Sequence, residues 1–514
     1  MAVMTELLRG EIDRWFESRV GEMTDDVLSL INIKSVCDAA EPGAPYGSAS
    51  REALEFSREL LQKFGIETSV YDDCVAVGET GDGQLTHIGN FTGGEIPGVN
   101  RASSQNESYM VGSGKPELGI LVHVDVVDAI SGAWSSDPFR GEVRDGNEYG
   151  ETEPIIYGRG AIDNKGPAVA AFYALRCALD VTGGLKKPAQ IIVGSAEELG
   201  CIDVNKYAET YEMPPKTLAP DSSFPLVNLE KGRFTLKFTR DFQRSTILPR
   251  VVSIRGGSTL NIVPGTAVAV VEGIGEAELA DFSTGFAEKT GTSFTVEQTA
   301  DNRCTVTVTG TAAHASLPQE GNNAQTALLS MLAALPLSKS DSADTIRTLT
   351  KLLPHGDFEG RLLGIACSDE LSGALTLAFD VLSMDETGMS AAFDCRTPIV
   401  ADEIDLEAFL RNNLQGLGFE TSGATRILCH HTPADSPFVK TLQAIYTDYT
   451  GDTDTTPLIR GAMTYVHGIP GGVAFGPALP GIDNRLHGRD EFIGVRHLIM
   501  LAKMYAEAII CVCG

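Results

Sequence analysis

Residues 118–127 read LGILVHVDVV. A nearly continuous apolar run of this kind predicts a strand buried on both faces of a parallel sheet. Its two polar residues, His123 and Asp125, stand two apart, which in extended chain puts them on one side. Ligands of parallel sheets gather beyond the carboxyl ends of the strands, so both merit attention as chemistry. Downstream, the Gly-rich loop GRGAIDNKGP (158–167) opens into the Ala-rich helix AVAAFYALRCAL (168–179). After Gly183 and Gly184, PAQIIVGSAEELG (188–200) predicts a second buried strand, ending in acids. Strand, loop, helix and strand with a right-handed crossover is the parallel α/β pattern. Upstream, REALEFSRELLQKF (51–64) has helical apolar spacing, with Gly65 as C-cap before the strand IETSVY (66–71).

Near residue 230 the texture changes. FTLKFTRDF (234–242), TAVAVVEGI (266–274) and RCTVTVTGTAA (303–313) alternate apolar with polar, as half-exposed antiparallel strands do. The helix NAQTALLSMLAAL (323–335) and the strands LTLAFDVLSMD (375–385) and MSAAFDCRTP (389–398) continue this region. α/β character returns with the helix SPFVKTLQAIYTDYTG (436–451), then GVAFGPALPG (472–481) and a last helix from about 493. The expected architecture is an α/β domain over 1–231 and 429–514, its largely parallel central sheet flanked by helices. An α+β domain over 232–428 is inserted into it. The acidic, Gly-rich GETGDGQ (78–84) is expected to be a surface loop.

Composition narrows the function. Across 514 residues, 40 Lys plus Arg against 69 Asp plus Glu leave a net charge of −29, which argues against binding a nucleic-acid backbone. With 43% hydrophobic and 21% charged residues the chain can bury a core, which excludes extended disorder. No run reaches the ~20 apolar residues a bilayer span needs. The C-terminal LIMLAKMYAEAIICVCG comes closest, but Lys503 and Glu507 interrupt it, so a packed helix is expected. The N-terminal MAVMTELLRGEIDRWFESRV carries acids and no apolar leader core, and the expectation is a cytoplasmic protein. The ten cysteines lack CxxC pairs and are expected to be reduced thiols, mostly in the core.

Several polar residues end apolar runs. Asp163 lies in AIDNKGP, where a helix N-cap is the plain alternative. Glu197 and Glu198 are adjacent at the end of IIVGSAEE, and buried neighbouring carboxylates repel unless cations or protons intervene. Asp221 in LAPDSSF could be a turn aspartate, and His487 in NRLHGRDE an ordinary loop histidine. Jointly, His123, Asp163, Glu198, Asp221 and His487 make a set of imidazoles and carboxylates suited to zinc, cobalt or manganese. Asp125 would orient the His123 ring, and Glu197 is the acid left free to act on water.

In their order VHVDVV, GRGAIDNKGP, SAEELG, APDSSFP and LHGRDE, these segments resemble the dinuclear metallopeptidases that include aminoacylases, carnosinases and bacterial dipeptidases. The likeness is greatest to dipeptidases of the PepV and Sapep type, through APDSSFPLVNLEKG, AAHASLPQEGNNA and SPFVKTLQAIYTDYTG. The resemblance implies two divalent metal ions per subunit, zinc first, with manganese or cobalt as alternatives. Asp163 would bridge them, His123 and Asp221 completing one site, Glu198 and His487 the other. It also implies a cis peptide after Asp163, a lid formed by the inserted domain, and a monomer, because an enlarged lid replaces a neighbouring subunit. Asn261, His314 and Arg396 would be the lid residues reaching substrate. One segment departs from the group's Gly-rich pattern: RGAMTYVHG (460–468), with Arg460, Ala462 and Met463.

The expected activity is hydrolysis of dipeptides with a free C-terminus by a metal-bridging water. Glu197 would be the general base and acid, His314 the oxyanion donor, and Arg396 with Asn261 the carboxylate binders. The partner would be a small peptide, with no nucleic acid and no membrane. An alternative is an N-acyl amino acid deacylase or carboxypeptidase on the same dinuclear centre. A further one is a metal-containing binding protein without catalysis, which would not need Glu197.

Overall fold

The computed structural model describes residues 5–80, 86–87, 108–111, 114–129, 134–300 and 302–514. The chain forms two compact units. The first is Met1–Leu229 with His430–Leu458 and Met463–Gly514, and the second is Glu230–Cys429 with Ile459–Ala462.

The central sheet of the first unit contains β1 (Glu67–Tyr71), β2 (Val75–Glu79), β3 (Leu118–His123), β4 (Ala189–Gly194), β5 (Lys216–Ala219) and β6 (Gly472–Ala474). These lie in the order β1-β2-β4-β3-β5-β6. The four strands β4, β3, β5 and β6 are parallel, whereas β1 and β2 add an antiparallel edge. All residues of β3 and β4 are buried, which is why both read as unbroken apolar runs.

The crossover between β3 and β4 is helix α2 (Lys165–Thr182), which follows α1 (Ser48–Lys63) in the chain. It is buried from Lys165 to Asp180 and packs against α3 (Val495–Cys513). Its small alanines let the backbones approach, while Phe172 and Leu175 each remove a full side chain from water, worth ~2 kcal/mol apiece. A Cβ on Gly166 would stand 2.2 Å from the Ala161 carbonyl oxygen, so glycine is required where this helix leaves its loop. Within α3, Glu507 is buried but held by Arg9 through contacts of 2.7 and 3.0 Å, and Lys503 pairs with Asp13 at 2.7 Å. No helix among the described residues is long and apolar enough to cross a membrane. The ten cysteines are free thiols, and seven of them are buried.

Two expectations need adjustment. The sequence pattern predicts a strand through residue 127, but β3 ends at His123 because its neighbour β4 ends at Gly194. Val124 N–H still bonds Gly194 O at 3.1 Å, and Val126 N–H then turns to Ser35 O at 3.0 Å. Of the expected surface loop 78–84, Gly78 and Glu79 belong to β2, and residues 81–84 lie outside the described residues.

The second unit is built on an antiparallel sheet, in the order Ser293–Ala300, Arg303–Thr309, Thr266–Glu272, Arg250–Gly256, Thr376–Met384, Gly388–Thr397, Gly232–Asp241 and Glu420–Ile427. Every neighbouring pair is antiparallel. Alternate residues of Thr266–Glu272 are buried, which accounts for its period-two pattern. The inward face, with Phe234, Phe238 and Phe393, shares a core with Leu328 and Leu332 of the helix Ala324–Ala334.

Candidate metal centre

The parallel strands of the first unit deliver polar residues to their carboxyl ends. His123, the last residue of β3, has Nδ1 at 3.0 Å from the main-chain oxygen of Asp125. That contact leaves Nε2 facing carboxylates, 3.0 Å from Asp163 Oδ1 and 3.6 Å from Asp221 Oδ1. Asp163 occupies the loop before α2, and its peptide bond to Asn164 is cis. Its other oxygen, Oδ2, is 2.8 Å from His487 Nε2, which in turn is 3.3 Å from Glu198 Oε1. One carboxylate thus faces two imidazoles from opposite oxygens.

Ligand atoms of His123, Asp163 and Glu198 all lie within 4.8 Å of one another, as do those of His123, Glu197 and Asp221. The structure therefore gathers His123, Asp163, Glu197, Glu198, Asp221 and His487 into one cluster, from five separate segments of chain.

The two glutamates are fixed through their backbone. Ser195 and Ala196 N–H donate to Asp203 Oδ2 at 2.6 and 2.9 Å, while Glu197 and Glu198 N–H donate to Asp125 at 3.1 and 3.0 Å. Two buried carboxylates so accept four successive amides, and Tyr465 Oη donates to Asp203 at 3.0 Å. Asp125 was expected to orient the imidazole by its side chain. Its Oδ1 is 3.4 Å from His123 Nδ1, but the stronger contact comes from its main chain and its carboxylate is committed to the glutamate amides. Asn164 also escapes the sequence reading. Its Oδ1 accepts His123 N–H at 3.4 Å, and its Nδ2 donates to Pro220 O and, at 3.4 Å, to Asp221 Oδ1, tying two ligand segments together.

The cluster concentrates negative charge that cations or protons must offset. Burial raises the pKa of Glu197, and the charge of Asp221 adds to it. Glu198 is raised by burial and by Asp163. Asp221 is pushed up to about 7 by burial, with Asp163 and Glu198 adding repulsion against the pull of His123. Burial alone would lower the pKa of His487, but hydrogen bonds and charge from Asp163 and Glu198 outweigh it and hold it up to about 11. Glu198 Oε1 is a buried carboxylate oxygen that has His487 Nε2 at 3.3 Å but no well-aligned hydrogen bond among the described residues. A hard, borderline N/O donor set with an orphaned oxygen fits divalent zinc, manganese or cobalt. Glu197 Oε1 accepts instead from the Cys201 thiol, with sulfur at 3.3 Å, and burial pushes that thiol's pKa up so that it keeps its proton.

In the second unit Asn261 sits at φ +76°, its N–H on Asp380 Oδ2 at 3.0 Å and its carbonyl accepting Ala315 N–H at 2.7 Å. Ile262 pairs with His314 across a short antiparallel bridge. His314 Nδ1 accepts Ser316 N–H at 3.2 Å, with Ser316 Oγ at 2.6 Å, which places the ring proton on Nε2. Arg396 is buried. Its Nε and Nη2 donate to Asp394 at 2.9 and 3.3 Å, and Nη1 donates to Gly461 O at 2.6 Å. Of the five N–H groups of a guanidinium, two are left. Gly461 has no room for a side chain, since a Cβ would come 2.7 Å from Ser316 Cβ. Of the three residues that depart from the Gly-rich pattern, Arg460 and Ala462 belong to this unit and Met463 to the first.

Comparison with known proteins gives a consistent picture. The sequence profile of peptidase family M20/M25/M40 matches residues 119–510. The putative dipeptidase YtjP of Bacillus subtilis is 32% identical over 496 residues, covering 95% of this chain and 96% of that protein. A putative dipeptidase of Staphylococcus epidermidis is 30% identical over 500 residues, covering 96% and 97%. Among solved structures, human carnosine dipeptidase 1 superposes with a TM-score of 0.53 at 14% identity, covering 98% of each chain, a likeness of fold.

Proposed function

Since the chain belongs to peptidase family M20/M25/M40 and is thus a peptidase, we propose that it is a dinuclear metal-dependent dipeptidase acting on substrates with a free C-terminal carboxylate. The observation that carries this reading is the pair of donor groups converging on Asp163, whose two oxygens lie 3.0 Å from His123 and 2.8 Å from His487. Asp163 would bridge two ions, with His123 and Asp221 holding one, and Glu198 and His487 the other. Bound there, two divalent cations would polarise the scissile carbonyl and lower the pKa of water from about 15.7 toward ~7.

The side chains supply the rest. Glu197 takes the proton of the attacking water and passes it to the amine nitrogen as the C–N bond breaks, a role that requires a carboxylate near neutral pKa. Its hydrogen bond from Cys201 aims one oxygen and leaves the other for the proton. His314, with its proton on Nε2, is proposed as a donor to the developing oxyanion. Asn261 and the two uncommitted N–H groups of Arg396 are proposed for the substrate carboxylate. The reading extends to a cytoplasmic protein, and to a monomer, for which the size of the inserted unit is the support.

The test is a comparison of free and N-acetylated dipeptides with metal-reconstituted protein, scored by release of the C-terminal amino acid. Free dipeptides should turn over faster, and chelation should abolish the reaction. Equal or faster cleavage of the acetylated series would make the protein a deacylase or carboxypeptidase instead.

A further inference from the structure

Glu491 lies four residues beyond His487 and is fully buried. Its Oε1 accepts the main-chain N–H groups of Gly160, Ile162 and Asp163 at 3.1, 3.0 and 3.1 Å. Its Oε2 accepts from Arg159 Nη1 at 2.6 Å. Arg159 is buried as well, 4.9 Å from the Trp134 ring, and its Nη2 donates to His487 O at 3.3 Å and Gly488 O at 3.0 Å. The pair therefore joins the loop carrying Asp163 to the loop carrying His487, across 328 residues of sequence.

A buried ion pair is a poor source of stability compared with packed apolar side chains, so its presence asks for another reason. The geometry offers one. Three amides on a single oxygen fix the backbone that makes Asp163 present one carboxylate oxygen to each imidazole. His487 has φ +56°, a conformation that residues with a Cβ rarely adopt, and Arg159 grips its carbonyl there. No comparable contact from this pair reaches the other candidate ligands among the described residues: His123 and Asp221 are linked by Asn164.

We propose that Arg159 and Glu491 are positioning residues that set the affinity of the cation held by Asp163, Glu198 and His487 more than that of the cation held by Asp163, His123 and Asp221, because both ions share Asp163 but only the first also depends on the His487 loop that Arg159 grips. The proposal rests on the dinuclear reading above. It concerns affinity, so it is read without reference to turnover.

Metal-free full-length protein would be titrated with Mn²⁺ by calorimetry, and its ion content measured by elemental analysis after dialysis. Wild type should take up two equivalents. Arg159→Met should bind one equivalent nearly as wild type does and the second ~10–100-fold more weakly, the usual effect of losing a partner that orients a ligand. Arg159→Lys keeps the charge but lacks the fork, and should not restore the second ion. If Arg159→Met fails to fold, judged by circular dichroism, Glu491→Gln carries the test. It keeps the size but turns an acceptor into a donor facing Arg159, and should weaken the same ion more than its neighbour. Unchanged affinities, or equal weakening of both ions, would overturn the proposal. Wild-type protein that takes up fewer than two ions would sink the dinuclear reading, and the clamp with it.

Discussion

Replacing Glu197 by Gln tests the mechanism with little else disturbed. The amide is the same size, the Glu197 main-chain N–H still bonds Asp125 at 3.1 Å, and the new carbonyl oxygen can still accept from Cys201. None of His123, Asp163, Glu198, Asp221 or His487 is altered, so two ions should remain. What is lost is the group that moves the proton. A positioned base contributes roughly 10²–10⁴-fold, or about 3–5 kcal/mol of barrier at ~1.4 kcal/mol per decade. Turnover of a free dipeptide, followed by amine release under saturating metal, should fall by that range with ion content unchanged. The metal-free variant should also unfold at a higher temperature than wild type at pH 8. Burial and the charge of Asp221 raise the folded pKa of Glu197, so ionising it costs stability as pH rises, and the amide is free of that cost. Turnover within tenfold of wild type would remove Glu197 from proton transfer. Loss of one ion would make it a ligand, which its place beside His123 and Asp221 allows.

Two further outcomes follow from the same geometry. In metal-free protein, the raised Asp221 (about 7) and His487 (about 11) both contribute stability that is complete below their unfolded values, ~4 and ~6.5, and is lost as pH rises through the folded ones. Thermal melts of chelated protein should therefore show lower stability at pH 8.5 than at pH 5.5, with added metal removing most of the difference; a flat or rising profile counts against the clustered carboxylates. Asp125→Asn leaves one of the two glutamate amides without an acceptor, at a cost of ~2 kcal/mol for a charge-assisted bond, equivalent to about 30-fold in kcat/KM if all of it falls on catalysis. Dipeptide kinetics and melting together check this, and a variant normal in both would show that the two amides need no carboxylate.

The parallel core was legible because burial on both faces leaves a mark in every residue of β3 and β4, and the period-two burial of Thr266–Glu272 marks the inserted sheet equally well. Candidate ligands could be picked out for a related reason: His123 and Glu198 follow apolar runs, where a polar residue has little cause to be unless something meets it. Strand length was misread at 118–127 because ladder length depends on the neighbour, and β4 stops at Gly194. The expected role of Arg396 as a carboxylate binder carries no sign of its local commitments, and Asp394 and Gly461 occupy three of its N–H groups.

By itself the sequence determined which residues must be buried and which kinds of donor stand at the ends of buried runs, since hydrophobic periodicity and residue chemistry are local properties. Only the tertiary structure decided what those donors are fastened to: Asp125 and Asp203 on four successive amides, Asn164 between His123 and Asp221, and Glu491 on the loop of Asp163. A hydrogen bond across 328 residues leaves no periodic trace in the chain, because its two ends meet only after the sheet and its helices have packed.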